Sequence, residues 1–288
     1  MGHDIVTTVN YYDDPGDGSP PLPVYVGSTQ VTNKRPTVPV TVKVTDVSGQ
    51  EANSTLDNHG FQYLNHTSAE KGFHDDATIR SHYYPECEQL LKDVTGASRV
   101  IIFGHQVRRG PADWHRISAN NTRVRGPLHR AHVDQSYDGA VIRLREQFPD
   151  PEEAAAVMQR RWQIINIWRP IKPIHRSPLA VADATSVAEA DLVPAAIVYR
   201  TGTGAGERRQ ESWTVRPSAA HRWYFKHGQR PDEVLLLKCF DSVADGRVVK
   251  ARRAVHCAVE YPGDDGDQGQ QEEKGNRESV EVRCLVLY

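Results

Sequence analysis

The side chains of this sequence best suited to metal chemistry are His132 and Asp134, spaced by Val133 in mid-chain, and His256 far downstream. Two imidazoles and one carboxylate on one side of an ion leave the opposite positions open, as a non-haem Fe(II) centre that admits a cosubstrate and O2 requires. Alternate residues of a strand share a face, so the His-x-Asp spacing lets both side chains reach one ion while Val133 points the other way. With 13 His in 288 residues, chance alone supplies about one His-x-Asp match, and the chain also holds His74-Asp75-Asp76. Order and context must separate the two.

Arg277-Glu278-Ser279 stands just before the last apolar run, Val280 to Tyr288. A guanidinium fork and a hydroxyl on one strand face suit the distal carboxylate of 2-oxoglutarate. Arg283, six positions on, shares that face and is a rival anion ligand, and Arg169 is a third. Trp168, Asn166 and Tyr224 are candidate pocket residues. Arg125 and Arg130, on the approach to His132, suit a carboxylate or amino-acid substrate. No separate acid or base is assigned, because the bond-breaking oxidation belongs to the metal.

These residues need strands to place them. Val38, Val40, Val42 and Val44 recur at period two, with Pro39 suggesting an edge strand. Short apolar runs follow at 99–103, 164–168, 179–182, 195–199, 211–215, 233–238, 254–259 and 279–288, separated by turn residues. A helix is expected over 76–94, capped by Asp75-Asp76, ended by Thr95-Gly96 and divided or kinked at Pro85. That helix start demotes His74 as a ligand. A second helix follows Asp150-Pro151. Many short strands with a few helices indicate a mainly β jelly roll, a double-stranded β-helix with helical additions. Residues 1–37, rich in Pro, Gly and Asp, are expected as an extended arm on a body formed by 38–288. The Gly-rich 201–206 is expected as a hairpin loop, and 263–275 as an exposed mobile loop.

Composition narrows the classes further. A net charge of −2 provides no footprint for nucleic acid or an anionic membrane. No run approaches a membrane span and the amino terminus does not read as a signal peptide, so a cytoplasmic protein with a small-molecule partner is expected. Cys87, Cys239, Cys257 and Cys284 are too scattered for a zinc knuckle and are expected as buried thiols. The absence of a Gly-rich loop after an early strand disfavours a methyltransferase. The oligomeric state is not readable.

Several ordered blocks carry a family resemblance: Asn10-Tyr11-Tyr12, Tyr25-Val26-Gly27, Leu90 to Ser98, His132 to Ser136, Asn166 to Pro170, Pro178 to Asp183, His221 to Tyr224, Lys238 to Ser242 and Arg277 to Arg283. From the arm to the last strand the chain resembles the fungal hydroxylase/desaturase family, which includes the aspergillic-acid hydroxylase and gibberellin desaturase types. The resemblance implies a double-stranded β-helix, Fe(II), 2-oxoglutarate and O2, and a tailoring reaction of secondary metabolism: hydroxylation, desaturation or ring closure. One block departs: where the family reads His-Thr-Ala-Phe, this chain has His256-Cys257-Ala258-Val259, and loss of the aromatic is expected to alter the pocket wall. Two other readings of the residues remain, an iron oxidase that uses O2 without 2-oxoglutarate and a catalytically silent binding module on the same fold.

Overall fold

The computed structural model describes residues 2–117, 120–200, 206–262 and 275–288. Its strands are β1 (Ile5–Tyr12), β2 (Val24–Val26), β3 (Val31–Asn33), β4 (Thr37–Asp46), β5 (Phe61–Asn65), β6 (Arg99–Arg108), β7 (His132–Val133), β8 (Trp162–Pro170), β9 (Leu179–Ala182), β10 (Leu192–Arg200), β11 (Glu207–Val215), β12 (Trp223–Phe225), β13 (Glu233–Asp241), β14 (His256–Ala258) and β15 (Ser279–Leu287). They form a ten-stranded sheet ordered β1-β4-β12-β9-β14-β7-β11-β10-β2-β3 and a five-stranded sheet ordered β5-β13-β8-β15-β6. This is the jelly roll expected. The 201–205 and 263–274 segments lie outside the described residues.

In the smaller sheet the pleat decides what each residue does. Ile165, Ile167, Val280, Val282, Cys284 and Val286 pack outward under the helices, with Tyr83, Cys87, Leu90 and Leu91. By alternation the intervening Asn166, Trp168, Ser279, Glu281 and Arg283 face the larger sheet. The antiparallel register sets Arg283 opposite Asn166 and Glu281 opposite Trp168. Both faces of this sheet are covered, which is why β8 and β13 are buried along their whole length.

The helical layer is α1 (Leu56–His59), α2 (Asp76–Thr78), α3 (Tyr84–Thr95), α4 (Tyr137–Gln147) and α5 (Pro151–Met158). Asp75 caps α2 through the Thr78 amide, and Gly96 closes α3 in the left-handed conformation. The expected break at Pro85 is a π-helical turn, Ile79–Tyr83, which carries the chain from α2 into α3 with Pro85 in the first turn. A widened turn is one way to accommodate a proline that lacks the N–H of an inner helical position. Helix α4 was not expected. Ser136 caps it through the Gly139 amide at 2.9 Å, two residues after Asp134.

The amino-terminal stretch is more than an arm. β1 pairs with β4 over eight residues, and β2 and β3 add to β10 at the other edge of the same sheet. All four cysteines are free and buried. Among the described residues no helix is long and apolar enough to cross a membrane.

A buried charge network ties α1 to the smaller sheet. Lys238 Nζ lies 2.8 Å from Asp57 Oδ1 and 2.7 Å from Asp241 Oδ2, and the side chains of Lys238 and Asp241 are both 0% exposed. Arg161 and Gln163 complete the coordination of Asp241. Lys238→Met leaves Asp57 and Asp241 with Arg161 as their shared counter-charge but removes a buried cation and its hydrogen bonds, so it is expected to destabilise the fold by about 1–3 kcal/mol in urea unfolding at pH 7. A change below about 1 kcal/mol would mean that the network behaves like an exposed pair and contributes little. Burial works to raise the Asp57 pKa, but Lys238 and Arg161 outweigh it and hold it below the usual range. Because the folded value is the lower one, this contribution is complete above about pH 4 and is lost as pH falls through the folded pKa.

Candidate metal centre

The two histidines meet because β7 and β14 are antiparallel neighbours, with His132 and His256 directly opposite one another. Their rings are 4.5 Å apart. Asp134 follows β7, and its Oδ1 lies 3.5 Å from His132 Nε2 and 4.0 Å from His256 Nε2. Among the described residues this is the one group of three His, Cys, Asp or Glu side chains whose ligand atoms converge within 4.8 Å. The rival fails on geometry, since Asp76 begins α2 and pairs with Arg80 and His105.

Each ligand is oriented from behind, as metal ligands require. His132 Nδ1 is 2.7 Å from the Arg130 carbonyl and His256 Nδ1 is 3.2 Å from the Ala254 carbonyl. A carbonyl accepts, so each Nδ1 carries the proton and each Nε2 presents a lone pair. Asp134 Oδ2 accepts from Asn166 Nδ2 at 2.9 Å and pairs with Arg283 Nε at 3.1 Å, which leaves Oδ1 toward the histidines.

The electrostatics agree. Burial, with repulsion from His132, pushes the His256 pKa down to about 4, so the ring is neutral near pH 7. Burial acts to raise Asp134, but Arg283 and the two histidines hold its carboxyl well below the usual range. A neutral imidazole at His256 and an ionised carboxylate at Asp134 are therefore available at neutral pH. His256 Nε2 is buried without a hydrogen-bond partner. A buried acceptor of this kind needs an explanation, and a divalent ion held by nitrogen and oxygen fits the donor set. Asn166→Ala frees the Asp134 carboxylate on one side and is expected to weaken Fe(II) binding about 10–100-fold in an anaerobic titration. Unchanged affinity would mean that Asn166 does not orient the ligand.

Arg277, Ser279, Glu281 and Arg283 approach the chamber from β15 or just before it. Arg277 is buried, donates from Nη1 to the Ser177 carbonyl at 3.0 Å, and has its Nε buried without a partner. Its guanidinium lies 5.5 Å from the centre of the Trp168 ring. Ser279 stands opposite Arg108 of β6. Burial, then repulsion from Arg108, lowers the Arg277 pKa, and Arg108 is lowered chiefly by burial. Arg108 is half-buried and donates from Nη1 to the Gly126 carbonyl at 2.9 Å, and Glu281 acts on both guanidiniums, so two cations share one acid and the surplus positive charge suits an anion. From the sequence, Arg108 is one of the arginines of the 108–130 region expected to line a pocket, with no role toward the cosubstrate assigned to it.

Arg283 lies in the same chamber, but both its acidic contacts are internal: Asp134 and, at 2.8 Å, Glu281. Those carboxylates raise its pKa against the effect of burial. It is therefore better suited to orienting Asp134 than to capturing a free acid. Arg169 corrects the expectation outright. It falls on the outward face of β8, where Tyr83 Oη accepts at 2.9 Å and the His66 carbonyl at 2.7 Å. The pleat thus puts it on the opposite side of the sheet from Asn166. Arg130 contributes its carbonyl to His132, whereas its guanidinium donates to the Arg35 carbonyl. Tyr224 packs with Trp168 and Val181 between the sheets. Arg125 donates from Nη1 to Gln106 Oε1 at 2.9 Å. Val259 lies in the core with Cys257 and Val255, so the missing aromatic changes the packing of that core and not a wall beside His256.

Fold and site together define a jelly-roll oxidoreductase with a two-histidine, one-carboxylate centre. A family model described as an oxidoreductase/YMDC permease-like domain matches residues 9–287. The chain is 36% identical to hydroxylase/desaturase efuI of Hormonema carpetanum, over 99% of this chain and 95% of that protein. It is 33% identical to the alpha-ketoglutarate-dependent dioxygenase tstK of Talaromyces stipitatus, over 97% of this chain and 96% of that protein. A solved structure of the iron and alpha-ketoglutarate-dependent endoperoxidase NvfI superposes with a TM-score of 0.76 at 25% identity, covering 99% of this chain and 98% of that one, and supports the fold. The chain belongs to the fungal hydroxylase/desaturase family of non-haem iron, 2-oxoglutarate-dependent oxidoreductases.

Proposed function

We propose that His132, Asp134 and His256 hold Fe(II), and that Arg277, with Arg108 and Ser279 beside it, receives the distal carboxylate of 2-oxoglutarate. The convergence of three ligand atoms, each oriented from behind and one of them a buried and unpartnered Nε2, is the observation that carries this reading. When bound, iron with 2-oxoglutarate and O2 supplies the power to oxidise a C–H bond, with 2-oxoglutarate going to succinate and CO2. The protein's part is placement and dryness. Asn166 and Arg283 fix the carboxylate, the Arg130 and Ala254 carbonyls fix the two imidazoles, and Trp168 and Val181 keep water from the chamber.

The substrate is a small molecule of secondary metabolism that is hydroxylated, desaturated or cyclised. A cytoplasmic setting without nucleic-acid or membrane partners accords with the net charge of −2. The buried Arg277, with the half-buried Arg108 beside Ser279, favours an acidic cosubstrate over an iron oxidase that needs none. The test is turnover of the iron-loaded chain. Succinate should form with O2 uptake only when 2-oxoglutarate is supplied, and O2 uptake that ignores 2-oxoglutarate would favour the oxidase.

A further inference from the structure

Ser177 stands on the approach to β9 with a backbone that neither its own type nor its neighbour favours. Its φ of 45° is left-handed, a region that glycine enters freely and serine rarely. Pro178 follows it, and a residue before proline is pushed toward extended backbone. Such a conformation persists only where the surroundings over-determine it, and it points to a function. The partners of Ser177 show which one. Its carbonyl accepts from Arg277 Nη1 at 3.0 Å, and its hydroxyl donates to Glu260 Oε1 and Oε2 at 3.0 and 3.2 Å.

Glu260 is itself held from several sides. His129 Nε2 lies 2.5 Å from its Oε1, and Thr7 Oγ1 of β1 donates to its backbone carbonyl at 2.7 Å. The amide of the preceding Val259 donates to the Pro178 carbonyl at 3.1 Å. Burial acts to raise the Glu260 pKa, but the bonds from His129 and Ser177 outweigh it and keep the carboxyl below its usual range. Glu260 is therefore an ionised acceptor at neutral pH, and a charge-assisted bond holds a hydroxyl more firmly than a neutral one. Glu260 also acts on the Arg277 guanidinium across space, but the bond that orients this guanidinium is made by Ser177.

The same pieces of chain carry the metal centre. Glu260 comes four residues after His256, and His129 three before His132. Between these pairs the Ala258 amide donates to the Leu128 carbonyl at 2.8 Å, and Asn10 of β1 donates from Nδ2 to the His129 carbonyl at 2.8 Å. Pro178 leads directly into β9, whose Val181 stands opposite His256. Arg277 is thereby tied, through Ser177 and Glu260, to the strand ends that hold both imidazoles. Its Nε is buried without a partner, so a donor that Ser177 does not use remains for an incoming anion. The span from the metal ligands to that donor is set by the frame of the fold and not by a free side chain.

We propose that Glu260 is a positioning residue: acting through Ser177, it fixes Arg277 at one distance from His132, Asp134 and His256, and so sets the length of the 2-oxo diacid that the protein accepts. A diacid must reach the metal with its 2-oxo acid end and Arg277 with the other. A fixed Arg277 discriminates against a homologue longer by a methylene, whereas a loose one follows the ligand and pays for its own ordering. This inference rests on the iron and 2-oxoglutarate reading and deepens it.

The experiment loads the full chain with Mn(II) and titrates it with 2-oxoglutarate, with its longer homologue 2-oxoadipate, and with 2-oxopentanoate, which keeps the chain but lacks the distal acid. Binding is followed by calorimetry. The wild type should prefer 2-oxoglutarate to both. Glu260→Ala should weaken 2-oxoglutarate about tenfold or more, narrow its lead over 2-oxoadipate, and leave 2-oxopentanoate and Mn(II) affinity nearly unchanged. Ser177→Gly accepts the left-handed backbone without strain but offers Glu260 no hydroxyl, so it should reproduce that binding pattern while unfolding thermally close to the wild type. Glu260→Gln, which keeps an acceptor for Ser177, should retain part of the length preference. Circular dichroism checks that each variant is folded. Glu260→Ala and Ser177→Gly that keep the wild-type affinity and preference, or that weaken all three ligands alike, would overturn the proposal. Wild-type protein that binds 2-oxoglutarate no better than 2-oxopentanoate would instead overturn the cosubstrate reading at Arg277, and the proposal with it.

Discussion

Replacing His132, Asp134 or His256 by alanine, one at a time, is expected to abolish stoichiometric Fe(II) binding and with it all 2-oxoglutarate turnover. The three ligand atoms converge within 4.8 Å, and a site with one removed keeps two donors, too few to hold a labile divalent ion against water. Loss of an outer partner such as Asn166 costs about 10–100-fold in affinity, so loss of a ligand should cost more than that. The three variants should not behave alike in stability. Asp134→Ala leaves Arg283 with Glu281 alone and takes the acceptor from Asn166. His256→Ala removes a neutral, buried ring that has no partner at Nε2. Thermal unfolding of the metal-free proteins should therefore place Asp134→Ala below His256→Ala. Iron content by metal analysis is the decisive readout, and one iron per chain retained in any of the three would remove that residue from the ligand set.

Arg277→Gln is expected to weaken 2-oxoglutarate binding by about 30-fold to several thousand-fold, the loss usual when one partner of a buried charge pair is truncated. Fe(II) affinity should be nearly unchanged, because Arg277 touches Ser177 and Trp168 and none of the three ligands. Arg277→Lys should recover only part, since an ammonium lacks the planar fork. Arg283→Gln should show the reverse pattern, weaker iron and a smaller direct effect on 2-oxoglutarate, because its contact is with Asp134. The two arginines are indistinguishable as anion ligands on sequence spacing alone. A titration in which Arg283→Gln loses 2-oxoglutarate and Arg277→Gln does not would exchange their roles.

How much of this is legible in the sequence follows from how far each feature reaches along the chain. The local patterns read well: the period-two valines of β4, the capped helix after Asp75, and the apolar runs that form β8, β9, β13 and β15. The triad whose atoms converge is legible too, because His-x-Asp is a local spacing and His256 sits in an apolar run. What cannot be read is register. Arg169 and Asn166 are three residues apart, and only the pairing of β8 with β15 and the helices above decides which of them faces Asp134.

The face that Arg108 takes is hidden for a sharper reason. The register of β6 against β15 shifts between Arg283 and Cys284, so the face that takes Ile101 and Phe103 before the irregularity takes Gln106 and Arg108 after it. A bulge of this kind re-phases the strand, and no count of alternate residues carries across it. Helix α4 escapes for want of a clear apolar stripe: Ala140 and Leu144 are buried while Ile142 is exposed. The amino-terminal arm is read from its prolines and glycines, which describe its turns and not the eight-residue pairing of β1 with β4.

The central claim, that this triad binds iron which in turn is chelated by 2-oxoglutarate, is tested most directly by anaerobic titration of the metal-free chain with Fe(II), with and without 2-oxoglutarate, followed by visible absorption. One iron per chain should bind, and a weak visible charge-transfer band should appear only when iron and 2-oxoglutarate are both present and be absent from His256→Ala. Iron-loaded wild-type protein that develops no band on saturation with 2-oxoglutarate would contradict it.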